Sequence, residues 1–189
     1  MEDIKNRFKK IKLLALDFDG VLTDNMVLTD ENGKEAVFCN RSDGLGIEML
    51  QKKGVQVIVI SKEKNKVVRA RCKKLGIKCF NGIDKKSAIF LREIKKRKLK
   101  PEQVCFVGND VNDIECMKIA GIGVAVADSH KDVFKVADYV TNKKGGKGAV
   151  REVADLILLK FFFSQQILIF SGQFQLAIFM KFLKNTKRF

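Results

Sequence analysis

Leu13-Leu14-Ala15-Leu16-Asp17-Phe18-Asp19-Gly20-Val21-Leu22-Thr23-Asp24 joins an apolar run to a cluster of acids within a few residues. With Ile11 it reads as a strand buried on both faces, the pattern of a central strand in a parallel sheet. Asp17 and Asp19 follow at i, i+2 spacing, which puts both carboxylates on one side of the strand. Gly20 then lets the chain turn away. Two acids at the end of a buried strand are costly unless a positive group neutralises them. A hard cation such as Mg²⁺ takes oxygen ligands of this kind. The alternative is a strand that ends in solvated acidic turn residues.

Outward from this stretch, strand and helix alternate. Met26–Leu28 and Glu35–Phe38 flank an Asn32-Gly33 turn and form a hairpin. Ser42-Asp43-Gly44 opens a helix, and Val55–Ile60 is a second buried strand with Ser61 at its tip. A basic helix over Asn65–Lys74 is closed by Gly76, and Ile77–Phe80 is a short strand. A helix over Asp84–Lys98 stops before Pro101. Val104–Val107, Gly123–Val126 and Ala137–Val140 are further strands, with a helix over Asn112–Ala120 and a last one over Ala149–Leu159. The expected fold is α/β, a doubly wound parallel (Rossmann-like) sheet with a β-hairpin insertion. Such sheets bind ligands outside the carboxyl ends of their strands, where Asp17, Asp19, Ser61, Asn109, Asp110 and Asp113 collect. Convergence from three strands is more specific than any single motif. No GxGxxG or GxxxxGK[ST] motif supports a dinucleotide or ATP site.

This set suits phosphoryl chemistry. Asp17 is a carboxylate able to attack phosphorus. Asp19 can protonate a leaving sugar oxygen and then take a proton from water. Mg²⁺ and a lysine would neutralise the phosphoryl group, for which Lys86, opening a helix, is the best-placed cation. Taken singly, Lys86 reads as a surface lysine. The sole histidine, His130, follows Asp128-Ser129 at a turn, and it reads as a loop residue before it reads as a base.

The 189 residues suffice for one well-buried α/β domain and fall short of two ordinary ones. Five cysteines form no CxxC pair and read as reduced intracellular thiols, so the cytoplasm is the expected compartment. The first twelve residues lack the apolar core of a secretory signal. The net charge of +15 comes from scattered lysine, densest at Lys95–Lys98 and Lys143–Lys147. With one tyrosine, no tryptophan and no nucleic-acid motif, a solvated basic surface outranks nucleic-acid binding, and attraction of an anionic substrate is a third use.

Asp17-Phe18-Asp19-Gly20-Val21-Leu22-Thr23-Asp24, Ser61, Lys86 and Gly108-Asn109-Asp110-Val111-Asn112-Asp113 together resemble the haloacid dehalogenase superfamily of phosphotransferases. Asn40-Arg41-Ser42-Asp43-Gly44 and Gly145-Gly146-Lys147-Gly148-Ala149-Val150-Arg151-Glu152 extend the resemblance to its small branch without a cap domain. That branch contains phosphatases of 3-deoxy-D-manno-octulosonate 8-phosphate and of sialic-acid-type nonulosonate 9-phosphates. The resemblance implies a Mg²⁺-dependent phosphatase domain over residues 1–160, usually a homotetramer, whose hairpin (26–38) helps close a neighbour's site. It makes Asp17 nucleophile and metal ligand, and Asp19 general acid/base with its carbonyl on the metal. Ser61 and Lys86 hold phosphate, with Asn40 also on the substrate side. Asn109 stands where the family usually has a third metal carboxylate, a departure for which Asp110 or Asp113 would compensate. Glu63 and Lys74 resemble the nonulosonate members and tilt the substrate that way, although both also read as exposed helix charges. The rival implied by Asn109 is a silent oligomerisation module, of the kind fused to sialic-acid cytidylyltransferases. Retention of Asp17, Asp19 and Lys86 favours the enzyme.

Residues 161–189 fall outside this pattern. From Phe161 to Met180 no residue is charged, and Lys181, Lys184, Lys187 and Arg188 follow. The length suffices to span a bilayer, but four glutamines, two serines and Gly172 weaken that reading. An oligomer-packing helix or an extension beyond the family fold are the alternatives.

Overall fold

The computed structural model describes residues 2–159 and 161. Contacts divide the chain between Ile157 and Leu158, and the first unit carries the sheet. In chain order the elements are α1 (Glu2–Phe8), β1 (Leu13–Leu16), β2 (Leu28–Thr29), β3 (Glu35–Ala36), α2 (Arg41–Lys52), β4 (Gln56–Ile60), α3 (Lys66–Leu75) and β5 (Lys78–Phe80). Then follow α4 (Lys86–Lys96), β6 (Val104–Gly108), α5 (Ile114–Ile119), β7 (Ile122–Ala125), α6 (Lys131–Phe134) and β8 (Tyr139–Val140). A seventh helix, α7, starts at residue 149. Six strands pair in parallel in the order β5-β4-β1-β6-β7-β8, while β2 and β3 form the separate antiparallel hairpin.

The centre of the sheet follows from composition. Leu13, Leu14, Ala15 and Leu16 are fully buried, and so are Val104, Cys105, Phe106 and Val107 beside them. Leu16 is in register with Val59 on one side and Val107 on the other. The strand order reverses across β1, so the carboxyl ends of β1, β4 and β6 open onto one crevice. On one face, Phe90 of α4 meets Phe106 edge-on at 5.2 Å between ring centres. Truncating such a buried side chain to alanine costs about 3–5 kcal/mol.

Local caps fix where the helices begin and end. The Asn65 side chain accepts from the Val67 N–H at 2.9 Å, and Gly76 closes α3 in the left-handed conformation. The helix expected over Asp84–Lys98 is shorter, Lys86–Lys96, because Arg97 caps it and Lys98 turns to φ +53°. The helix expected from Asn112 opens as a 3₁₀ turn, Val111–Asp113, before α5. The hairpin strands are two residues each, shorter than the apolar runs that mark them. Two helices, α1 and α6, go unmarked in the apolar pattern because each is a short, charged segment. No helix among the described residues is long and apolar enough to cross a membrane. The stretch weighed above as a membrane span lies, after Phe161, outside the described residues.

Candidate active site

The sheet holds the key side chains on rigid backbone. The Asp17 N–H continues the ladder to the Val107 carbonyl at 3.0 Å, one residue past β1, and the Ser61 N–H bonds the Phe80 carbonyl at 2.8 Å. Asp17 is 5% exposed, Lys86 3% and Asp113 0%. The Lys86 Nζ lies 2.8 Å from Asp17 Oδ1, 2.8 Å from Asp113 Oδ1 and 3.4 Å from Asn112 Oδ1. An ammonium has three donors, and this one spends all of them on protein oxygens. Asp113 is equally committed. Its Oδ2 accepts from the N–H groups of Asn109 (3.0 Å) and Asp110 (3.3 Å), which ties the turn after β6 to α4.

Two buried carboxylates facing one ammonium leave the cluster short of positive charge. Burial, followed by the nearby Asp113 charge, pushes the Asp17 carboxyl well above the usual range against the pull of Lys86. Burial alone would lower the Lys86 pKa, but Asp17 and Asp113 more than offset it and raise it. Asp19, half-buried, is raised by burial and then by Glu63, which makes it better able to hold and donate a proton.

Asn109 is 8% exposed, and its side-chain oxygen is buried with no hydrogen-bond partner. Its amide nitrogen lies against Gly20, where a Cβ would fall 2.0 Å away and where φ is +76°. Only glycine fits the turn there. Among the described residues no three His, Cys, Asp or Glu side chains form a metal cluster. The donor set is instead mixed: the Asp17 carboxylate, Asp19 and the unsatisfied Asn109 oxygen. All are hard oxygen donors beside an uncompensated negative charge, and they fit Mg²⁺. Asp113, expected among the metal ligands, has both oxygens engaged by protein donors. Asp110 uses Oδ1 to accept from the Val111 N–H at 2.6 Å.

A cavity of about 440 Å³ opens over these groups. Asp17, Asp19, Ser61, Lys86, Asn109 and Asp110 line it, with Lys62, Glu63, Lys64, Asn25, Asp84 and Asn112. A second cavity of about 240 Å³ shares Asp19, Asn25 and Glu63 and is walled by Phe18, Met26, Val27, Val37, Val67 and Val68, with Glu35 and Asn65. Ser61 is 1% exposed; its Oγ accepts from the Glu63 N–H at 3.0 Å and keeps its own hydrogen to donate. Glu63 Oε1 accepts from the N–H groups of Lys64 (2.6 Å) and Asn65 (3.0 Å).

Besides Asp113, two of the expected site residues line neither cavity. Asn40 caps α2, its side chain accepting from the Ser42 N–H at 2.8 Å. Lys74 is exposed in the last turn of α3, the far end of that helix from Glu63. His130 caps α6, and its own N–H donates to the Asn109 carbonyl at 2.8 Å. No local pattern marks Asn112 as the third partner of Lys86, or Asn25, Asp84, Lys62 and Lys64 as part of the cavity wall. Each is a common polar residue that carries no motif of its own.

The Gly145-Gly146 loop backs the turn that follows Asp19. The Gly146 N–H donates to the Val21 carbonyl at 3.0 Å, and Lys147 pairs with Asp24 at 3.2 Å. Next to it, Asp43 is fully buried and accepts from the Arg151 N–H at 2.8 Å, holding the first turn of α7.

A parallel sheet with an acid pair after its central strand, and a buried lysine bridging to a second acid, defines a class of hydrolase. The family model of haloacid dehalogenase-like hydrolases matches residues 79–153, and the chain belongs to this family. It is 41% identical over 158 residues to the 3-deoxy-D-manno-octulosonate 8-phosphate phosphatase of Escherichia coli K12, covering 83% of this chain and 84% of that protein. The phosphatase of the same name from Yersinia pestis is 38% identical in its crystal structure, with a TM-score of 0.82 over 84% of this chain and 86% of that one. The Moraxella catarrhalis phosphatase, solved in complex with a magnesium ion, a phosphate ion and a KDO molecule, is 34% identical. Its TM-score is 0.83 over 90% of this chain and 99% of that one.

Proposed function

We propose that the protein is a Mg²⁺-dependent phosphatase that hydrolyses the phosphate monoester of a keto-deoxy sugar acid, with 3-deoxy-D-manno-octulosonate 8-phosphate as its first substrate. The observation that carries this is the Asp17–Lys86–Asp113 cluster at the sheet's switch point, in a chain that covers most of an octulosonate phosphatase. Asp17, locked by the strand ladder, attacks phosphorus and forms an aspartyl-phosphate. Lys86 holds the Asp17 carboxylate in place. Ser61 donates its free hydroxyl hydrogen to a phosphoryl oxygen. Asp19 gives its proton to the departing sugar oxygen and then takes one from the attacking water. Asp17, the Asp19 carbonyl and the Asn109 amide oxygen would hold Mg²⁺, which supplies charge stabilisation at the phosphoryl oxygens. Asp113 positions Lys86 and the turn that carries Asn109.

A second substrate, a sialic-acid-type nonulosonate 9-phosphate, draws support from Glu63, which lines both cavities; Lys74, remote from both, adds none. Phosphate release from each compound, with and without Mg²⁺, tests the reading. Mg²⁺-dependent turnover supports it, and the faster substrate decides between the two. No turnover of either by a folded protein would overturn it in favour of the silent module. A homotetramer is part of this proposal, supported by the exposed apolar hairpin side chains Met26, Leu28 and Phe38. So is a cytoplasmic setting, supported by five free cysteines.

A further inference from the structure

Three lysines line the larger cavity, and their circumstances differ. Lys86 is buried, and its three donors are spent on Asp17, Asp113 and Asn112. Lys62 and Lys64 are exposed on the loop that follows the phosphate-side Ser61, and among the described residues neither has an ion-pair partner. Between them, Glu63 turns one oxygen back onto the backbone N–H groups of Lys64 and Asn65. The remaining charges of the cavity are acidic: Asp17, Asp19, Asp84 and Asp110.

A sugar-acid phosphate brings two anions, the phosphoryl group and a carboxylate several carbons away. The phosphoryl group has Ser61, the Asp17 side and the cation that balances it. The carboxylate needs its own donors, because an anion drawn into a cavity without a partner loses its hydration uncompensated. The second cavity is unsuited to it, since Glu35, Glu63 and Asp19 lie in that wall beside valines. Among the described residues, the only uncommitted cations in either wall are Lys62 and Lys64.

We infer that Lys62 and Lys64 form a carboxylate clamp, the element that makes this phosphatase selective for acids among phosphate monoesters. This rests on the sugar-acid phosphatase reading. The two lysines meet the substrate and not the reacting phosphorus, so they act on its binding and orientation. The pair also gives the cavity mouth a positive rim that favours approach of anions, an effect that weakens as salt rises.

The test compares octulosonate 8-phosphate with p-nitrophenyl phosphate, which lacks a carboxylate, in the Lys62→Gln/Lys64→Gln variant. Selectivity, the ratio of the two kcat/KM values, should fall by about tenfold, through KM for the acid, as loss of a partly exposed pair of charged contacts implies. The Lys62→Arg/Lys64→Arg variant, which keeps both charges, should restore most of the ratio. An unchanged ratio overturns the clamp. So does an equal loss on both substrates, which would assign the lysines to the phosphoryl group. If the wild type hydrolyses p-nitrophenyl phosphate but neither sugar-acid phosphate, the sugar-acid reading itself fails, and the clamp fails with it for a separate and visible reason.

Discussion

The Asp17–Lys86–Asp113 cluster and the hairpin are opposites, although Asp17 stands only nine residues before the hairpin. At the cluster the side chains are held by several protein partners each, and what is left over, the Asn109 oxygen and an uncompensated negative charge, suits a cation. Lys86 meets three oxygens, Asp113 meets three donors, and the backbone beneath Asp17 is a ladder strand. The hairpin strands β2 and β3 are two residues long, and the side chains around them face outward, with Met26 69% and Phe38 74% exposed. A region whose side chains are fixed by its own strands and helices has no need of a second chain. A two-stranded ribbon with apolar residues on its surface is marginal by itself and gains by being covered. The comparison therefore separates what one chain completes from what we propose a second copy completes.

The largest stability effect should come from breaking the cluster. Lys86→Met leaves Asp17 and Asp113 buried without their counter-ion, which should cost about 3–5 kcal/mol and abolish turnover. Urea unfolding and phosphate release measure the two. A fully stable variant would mean the cluster is not held by these partners.

Next is the glycine loop behind the turn that follows Asp19. A Cβ at Gly145 would lie 1.9 Å from the Gly20 carbonyl oxygen, which is backbone and cannot swing aside. Gly145→Ala should destabilise by about 1–3 kcal/mol and weaken Mg²⁺ binding by displacing the turn that carries Asp19. Calorimetric titration of Mg²⁺ reads the second effect without reference to activity.

On the hairpin the expectation reverses. Met26→Ser/Phe38→Ser should change the stability of the fold by no more than about 0.5 kcal/mol, as for other surface positions, while lowering the oligomeric state seen by sedimentation. A monomeric wild type at micromolar concentration would contradict the proposed tetramer.

The smallest effect lies away from both regions. Burial would raise the Glu93 pKa, but hydrogen bonds from Arg97 and Lys78 outweigh it and hold the carboxyl below its ordinary value of 4.5. Folding thus favours the ionised form. The resulting stability is complete above the unfolded value and is lost as pH falls through the folded one. Glu93→Gln should flatten the acid limb of the stability–pH curve and leave the neutral region's slope unchanged.

The same contrast explains what was legible in the sequence. The β1 apolar run, Gly20, the Asn65 cap and Gly76 are local signals, so the parallel sheet and the places of Asp17, Asp19 and Ser61 could be read directly. Lys86 was legible as a candidate only because it opens a helix; its depth depends on α5 and the turn after β6, which no local pattern reports. Asp113 looked like a metal ligand by its neighbourhood in sequence, and the geometry gives it to Lys86 and two backbone donors. Asn40 and Lys74 carried substrate roles by resemblance alone, and their backbone positions place them at a helix cap and a helix end outside both cavities. The 3₁₀ turn and the short α6 escaped because three- and four-residue helices have no apolar period to detect.

The most direct test of the central claim is rapid acid quenching of the protein during turnover of octulosonate 8-phosphate in Mg²⁺, beside the same measurement on Asp17→Asn. Phosphate should be bound to the peptide containing Asp17 in the wild type, with neither bound phosphate nor turnover in a variant that remains folded. An Asp17→Asn protein that releases phosphate at the wild-type rate would contradict it.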